Sequence, residues 1–143
     1  MLRISKLTDY ALLIMSHLAK TAGTVMSASI LAHELHLSVP TVSKILKMLT
    51  ESGLVRSKRG SDGGYQLARP AKNITVAHII QTMEGKLALT TCCHVGLNCN
   101  LESFCTLREN WRKINNLVQA LLSHVTLSDM LNPLLTPRFL DVQ

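Results

Sequence analysis

The stretch LSVPTVSKILKMLTESGLVRSKRGSDGGYQLAR, Leu37 to Arg69, decides the fold. Ser38 is a helix N-cap, since its hydroxyl can accept from a backbone N–H of the first turn, and Pro40 follows where a missing N–H costs little. The helix that starts there is amphipathic. At about 100° per residue, Val42, Ile45, Leu46 and Leu49 share one face, and Pro40, Ser43, Lys44, Lys47 and Glu51 lie opposite, with Thr41 at the edge. Gly53 closes the helix at a C′ position. Leu54 to Arg59 then reads as a strand, Gly60-Ser61-Asp62-Gly63-Gly64 as a tight turn, and Tyr65 to Arg69 as the returning strand. Glycines 60, 63 and 64 are expected to supply the positive φ angles such a hairpin needs.

Working outward, Ser27 caps a short helix through Ile30, Leu31 and Leu35. A short helix, a turn at His36-Leu37 and a capped second helix have the outline of a helix-turn-helix. Earlier still, Thr8 reads as the cap of an apolar, buried helix over residues 9–21, with Asp9 in its first turn and Gly23 at its end. On the exposed face of the Ser38-capped helix, lysines suit phosphates and Ser or Thr suits base edges. An ordinary solvated face looks the same on that helix alone. The hairpin decides between them: a basic two-stranded ribbon directly after such a helix is a wing, with Arg59 at its tip within reach of a minor groove. A nucleotide-cradling loop is disfavoured, because no Walker lysine follows and no helix opens there. The candidate DNA-contacting residues are Ser38, Pro40, Thr41, Ser43, Lys44, Lys47, Arg59 and Gly60.

Charge agrees. Residues 1–72 hold ten Lys/Arg against four Asp/Glu, and residues 73–143 hold five against five, so the whole formal charge of +6 sits in the first half. That half is built to meet a polyanion. The apolar run Ala11–Met15 is far below the roughly 18 residues of a membrane span, and no signal segment precedes it. The expectation is a cytoplasmic chain without a membrane partner, where clustered thiols bind metal or sense redox state more often than they form disulfides.

Pro70 breaks the hairpin, and Thr75 caps a helix through Val76, Ile79, Ile80 and Met83, closed by Gly85. Beyond Cys105, the residues Leu107, Trp111, Ile114, Val118, Leu121 and Val125 step by four, three, four, three and four. That heptad-like stripe fits a helix packed along another helix. Packing on the chain's own domain is one partner; a second copy, as palindrome-reading motifs use, is the favoured one. Thr126 caps a last short helix through Leu131, and Pro133 and Pro137 mark a tail.

All four cysteines, Cys92, Cys93, Cys99 and Cys105, fall within 14 residues of a polar stretch between these helices. Their spacing cannot form one helical stripe, so the segment should be a loop wrapping something. Thiolates so arranged are a ligand set for an iron–sulfur cluster or zinc, and the paired cysteines two to four apart of structural zinc sites are missing. Buried apolar cysteines are the plain alternative, against which the neighbours Asn98, Asn100, Glu102 and Ser103 argue.

With the winged helix, the Arg59-Gly60 to Gly63-Gly64-Tyr65 wing, the cysteine loop and the long helix carrying Trp111, the chain resembles the IscR/NsrR (Rrf2) group of iron–sulfur transcription regulators, from about Leu2 to Leu131. Within the group, Ile4 to Ala11 and Asn98 to Ser103 are most similar to members that regulate SUF-system cluster assembly. The resemblance implies a homodimer on a double-stranded DNA operator, a [2Fe-2S] or [4Fe-4S] cluster, and control, for instance as a repressor, of genes for cluster assembly. The family's three-cysteine spacing falls on Cys93, Cys99 and Cys105. A histidine that some members carry three residues after the last cysteine falls on Arg108, which does not ligate iron. Other members take an aspartate from the partner subunit, and that position matches Asp9, which also fits a simple helix-start charge. His94 is a further fourth ligand, and Cys92 is the alternative to Cys93; neighbouring side chains diverge, so the two are not expected on one iron.

The fold class expected is thus mainly α with a small β-hairpin: a winged helix-turn-helix with a long C-terminal dimerisation helix. Residues 1–85 form the DNA-binding domain, 86–105 the cluster loop, 106–131 the dimerisation helix and short terminal helix, and 132–143 the tail. The rival function is a cluster-free thiol–disulfide redox-sensing repressor, pairing Cys92 or Cys93 with Cys99 or Cys105. An enzyme is not expected, since no Cys-x-x-Cys motif or nucleophile with an acid/base partner appears.

Overall fold

The computed structural model describes residues 4–94, 99–100 and 104–133. Three helices come first: α1 Lys6–Lys20, α2 Ala28–Glu34 and α3 Val39–Glu51. The strands β1 Val55–Lys58 and β2 Gly64–Leu67 form an antiparallel hairpin in which Val55 pairs with Leu67 and Lys58 with Gly64. Helices α4 Val76–Glu84, α5 Arg108–His124 and α6 Leu127–Met130 follow. The architecture is the expected one, helical with one small hairpin placed as a wing.

One apolar core holds the first four helices. Ala11, Ile14 and Met15 of α1, Leu31 of α2, the Val42, Ile45, Leu46 and Leu49 face of α3, and Ile79 of α4 are all inaccessible to solvent. Leu127 of α6 is buried in the same core. The segments flanking α4 and α6 pair through Val76 N–H to the Val125 carbonyl (2.9 Å) and Leu127 N–H to the Ile74 carbonyl (2.7 Å).

The ends of α2 and α3 explain how the helix-turn-helix is cut. At α3, Ser52 caps, Gly53 N–H bonds to the Thr50 carbonyl and Leu54 N–H to the Leu49 carbonyl, with Gly53 at φ 72°. This is a Schellman ending that drops Leu54 into the core. The end of α2 repeats it: His36 N–H bonds to His33, Leu37 N–H bonds to Ala32, and His36 sits at φ 53°. A histidine thus holds the left-handed position in the turn between α2 and α3, where glycine is the usual occupant.

Two local readings need correcting. Helix α1 starts at Lys6 with Ser5 as its cap; Thr8, read as the cap, is fully buried inside the first turn and its N–H bonds to the Ser5 hydroxyl. The wing glycines also differ in purpose. Gly60 has φ 115°, but Gly63 does not have positive φ: a Cβ there would meet the Lys58 carbonyl at 2.5 Å. At Gly64 a Cβ would meet the Met26 carbonyl at 2.5 Å, because Met26 and Tyr65 exchange backbone hydrogen bonds of 2.8 and 3.0 Å. Gly63 is thus required by close approach within the hairpin, and Gly64 both by its φ of 156° and by the approach of the Met26 segment.

Gly53→Ala should destabilise the fold by about 1 kcal/mol, since a Cβ is strained in the left-handed region. Urea denaturation checks this; an unchanged midpoint would show that the α3 ending tolerates a side chain.

Candidate nucleic-acid interface and metal-ligand segment

Burial of one side of α3 forces the other side outward. Ser38, Val39, Pro40, Ser43, Lys44, Lys47 and Glu51 are exposed and Thr41 is half-buried. The Ser38 hydroxyl lies 2.7 Å from the Thr41 hydroxyl and accepts from the Thr41 N–H at 3.3 Å. These two side chains therefore spend hydrogen bonds on the cap, leaving Ser43, Lys44 and Lys47 as the outward-pointing polar set. Lys47 Nζ is 4.0 Å from Glu51 Oε1, and both side chains are mostly in solvent, so the pair contributes little and leaves Lys47 available to a phosphate.

The wing continues this surface with exposed Arg56, Ser57, Lys58, Arg59 and Gly60. Arg56 and Lys58 were not singled out from the sequence, although strand alternation in a hairpin followed by Arg59 was the signal that could have found them. Farther along, Arg69 and Lys72 are exposed as well. Arg69 also adds its charge to the burial that holds the His78 imidazole below its ordinary pKa.

Cys92 and Cys93 lie in a single 3-10 turn, Thr91–Cys93. All four cysteines are unbridged and partly exposed. The Thr90 hydroxyl is 3.1 Å from Cys92 Sγ and 3.2 Å from Cys93 Sγ. Both thiols therefore reach one hydroxyl, while successive side chains of a three-residue turn still point about 120° apart. Cys99 and Asn100 are described, as are Phe104 to Arg108, whereas 95–98 and 101–103 lie outside the described residues, and with them Asn98, Glu102 and Ser103. Among the described residues no three His, Cys, Asp or Glu side chains gather at one point, so Cys93, Cys99 and Cys105 are not brought together there. As donors they still suit an iron–sulfur cluster in kind, being soft, unbridged and reachable. His94 is exposed beside Cys93, Arg108 opens α5, and Asp9 is exposed on the first turn of α1.

Polar contacts that sequence reading missed tie this segment down. Asn115 is buried on α5, and its Oδ1 accepts from Leu89 N–H at 3.0 Å. One turn on, Gln119 Nε2 donates to the Leu87 carbonyl at 2.9 Å. The chain entering the cysteine turn is thus hooked to α5 twice. At the other end, Glu84 Oε1 accepts from Thr8 Oγ1 at 2.6 Å and from Ser5 N–H at 2.8 Å. These bonds, Thr8 first, hold the Glu84 carboxyl below its ordinary pKa. They fasten the end of α4 to the start of α1, beside Asp9.

The exposed side of α5 carries Trp111, Ile114, Leu117 and Leu121, with Leu107 just before the helix. Leu117, outside the heptad-like stripe, is the most exposed of these at 70%. Among the described residues no helix is long and apolar enough to cross a membrane.

Comparison with known proteins places these features. Residues 4–133 match the model of the Rrf2 family, described as an iron-dependent transcriptional regulator. The chain is similar to CymR (YrzC), the global cysteine regulator of B. subtilis, with 32% identity, a TM-score of 0.73, and 92% of this chain and 97% of that one covered. It is as similar to T. potens IscR, with 31% identity, a TM-score of 0.70, and 91% and 86% covered. Protein aau3 of Rhizobium meliloti is 31% identical over 90% of this chain and 84% of its own length. Identities this close single out no subgroup, including the SUF-type one.

The Glu84 contacts give a pH signature. Its folded pKa is lowered, so its contribution is present above the ordinary value of 4.5 and is lost as pH falls through the folded pKa. Glu84→Gln should cost up to about 1 kcal/mol at pH 7, screened by solvent, and the gap to wild type should close as pH drops below 4.5. Urea midpoints across that range check it; a gap independent of pH would place the loss in packing.

Proposed function

This chain belongs to the Rrf2 family, and on that premise we propose that it is a homodimeric regulator whose operator binding reports iron–sulfur cluster status. DNA-binding transcriptional regulation is the family's function, and the solved relatives with named roles are regulators, not enzymes. The observation that carries the finer reading is the joining of two features on one chain. An outward polar face on α3 adjoins a basic wing, and four unbridged thiols sit in a segment hooked to α5.

In this reading Ser43, Lys44 and Lys47, behind the Ser38–Thr41 cap and Pro40, enter the major groove, and Arg59 and Gly60 at the wing tip approach the minor groove. A second copy covers the apolar face of α5, spacing two such units on a palindromic site. Cys93, Cys99 and Cys105 hold the cluster, with Cys92 as the alternative to Cys93. Asp9 from the partner subunit, or His94, completes the set; exposure of Asp9 leaves it open to another chain. When bound, a [2Fe-2S] or [4Fe-4S] cluster supplies bonds that close the cysteine segment and that oxidation or iron shortage removes. The segment's hooks to Asn115 and Gln119 then bear on α5 and the dimer. Genes of SUF-type cluster assembly are the target that Ile4 to Ala11 and Asn98 to Ser103 support.

Similarity to a global cysteine regulator favours a second reading, in which the same thiols form a reversible disulfide, Cys92 or Cys93 with Cys99 or Cys105, and no cluster is held. Iron and acid-labile sulfide analysis separates the two. Protein purified without oxygen should be brown and carry both, and Cys99→Ala should lose the colour together with the air sensitivity of DNA binding. Colourless wild-type protein with air-insensitive DNA binding would sink the cluster reading. For the DNA surface, Lys44→Ala should flatten the plot of log affinity against log salt by about 1.8, one phosphate contact of about 0.9 from each of two subunits. A change near half that value would argue for one subunit per site, and no change would remove Lys44 from the interface.

A further inference from the structure

Cys92 is the cysteine that the proposed cluster set leaves over, and its placement is specific. Its Sγ and that of Cys93 both touch the Thr90 hydroxyl, at 3.1 and 3.2 Å. Two thiols of consecutive residues thus face one oxygen, within about twice a hydrogen-bond length of each other. The turn is held from behind, with Cys93 N–H on the Thr90 carbonyl at 2.9 Å and His94 N–H on the Thr91 carbonyl at 3.1 Å. Both side chains are partly exposed and unbridged. A disulfide between them is disfavoured by geometry: consecutive Cα atoms stand about 3.8 Å apart, short of the usual range of about 4.4–6.8 Å. A centre inserted between the sulfurs relieves that constraint, because the two S atoms then need not touch. It must also be satisfied by two ligands, since no third donor gathers here among the described residues.

We propose that Cys92 and Cys93, oriented by Thr90, form a dithiol site for trivalent arsenicals. With phenylarsine oxide the step balances without redox change. Two arsenic–sulfur bonds form, the arsenic–oxygen bond breaks, and the oxygen leaves as water with the two thiol protons. Arsenic stays trivalent throughout. Cys93 also belongs to the proposed cluster set, so arsenical and cluster exclude each other; that clause alone rests on the cluster reading. Cys92 converts a ligand cysteine into half of a chelate, which makes the regulator open to thiophilic attack.

The test uses full-length apo protein without oxygen, titrated with phenylarsine oxide and read by intact mass and peptide mapping. Wild type and the Cys99→Ser/Cys105→Ser double variant should each take one phenylarsenic that resists excess monothiol and leaves with a dithiol. Cys92→Ser should bind about 100-fold more weakly, the loss expected when two tethered contacts become one. An adduct undiminished in Cys92→Ser, lost in the double variant, or mapped in wild type to Cys99 and Cys105 overturns the site; mapping needs no variant to fold. Iron and sulfide reconstitution after loading tests the exclusion. Blocked uptake supports it, and full uptake with the arsenical retained overturns it. If unloaded wild type takes no cluster either, the cluster reading fails while the arsenical site stands on its own mass data.

Discussion

Val42, Ile45, Leu46 and Leu49 of α3 are all fully buried, and what the opposite side of that helix can do follows from their position. Each such side chain contributes about 1.5–3 kcal/mol on burial, so rotating α3 by even one residue would expose several and cost more than a small domain's margin. Ser43, Lys44 and Lys47 are therefore presented as a fixed set, not a mobile one. The same packing brings Leu54 into the core directly after the Gly53 turn. It thereby aims β1 and the wing from the same point. The outward polar side of α3 and the wing are two outputs of one packed face.

The wing has a second anchor. Met26, between α1 and α2, bonds to Tyr65 of β2, and Gly64 permits that approach. A two-stranded hairpin alone is marginal in water; this third contact ties its returning strand to the helices. A basic ribbon can then be both charged and held, which an isolated hairpin rich in Arg and Lys could not be.

What was legible in the sequence was local. Ser38, Pro40 and Gly53 announce the ends of α3 through bonds that span three to five residues, and Thr75 and Thr126 do the same for α4 and α6. Thr8 was misread because its partner, Glu84, lies 76 residues away, and a hydroxyl that caps and one that bonds across the core look alike in sequence. Asn115 and Gln119 read as ordinary polar positions on an amphipathic helix; only the approach of Leu87 and Leu89 gives them partners. Gly64 has the positive φ expected of it, but Gly63 was recognised as a turn residue for the wrong reason, since close approach leaves no local signature. The core and the surface it presents were readable, and the links between parts were not.

In the proposed reading, those links limit how the cysteine segment acts on DNA binding. Shifting a two-state equilibrium from 1:99 to 99:1 requires about 5.5 kcal/mol of differential stabilisation. The Asn115 and Gln119 hydrogen bonds contribute roughly 1 kcal/mol each, which is too little by themselves. In the proposed reading the remainder comes from a difference between the two states in how far the exposed Trp111, Ile114, Leu117 and Leu121 face is covered, at about 25 cal/mol per Å² of apolar surface. The hooks are then best understood as a register, fixing where α5 sits relative to the segment, while apolar contact along α5 provides the energy. Glu84 complements this at the opposite end by holding the start of α1, and Asp9 with it, to the last turn of α4 just before the segment begins. Among the described residues the side-chain hydrogen bonds that hold this segment to a helix run to α5, through Asn115 and Gln119, so in the proposed reading a change in the segment bears on α5 first and reaches α3 through the packing of α4.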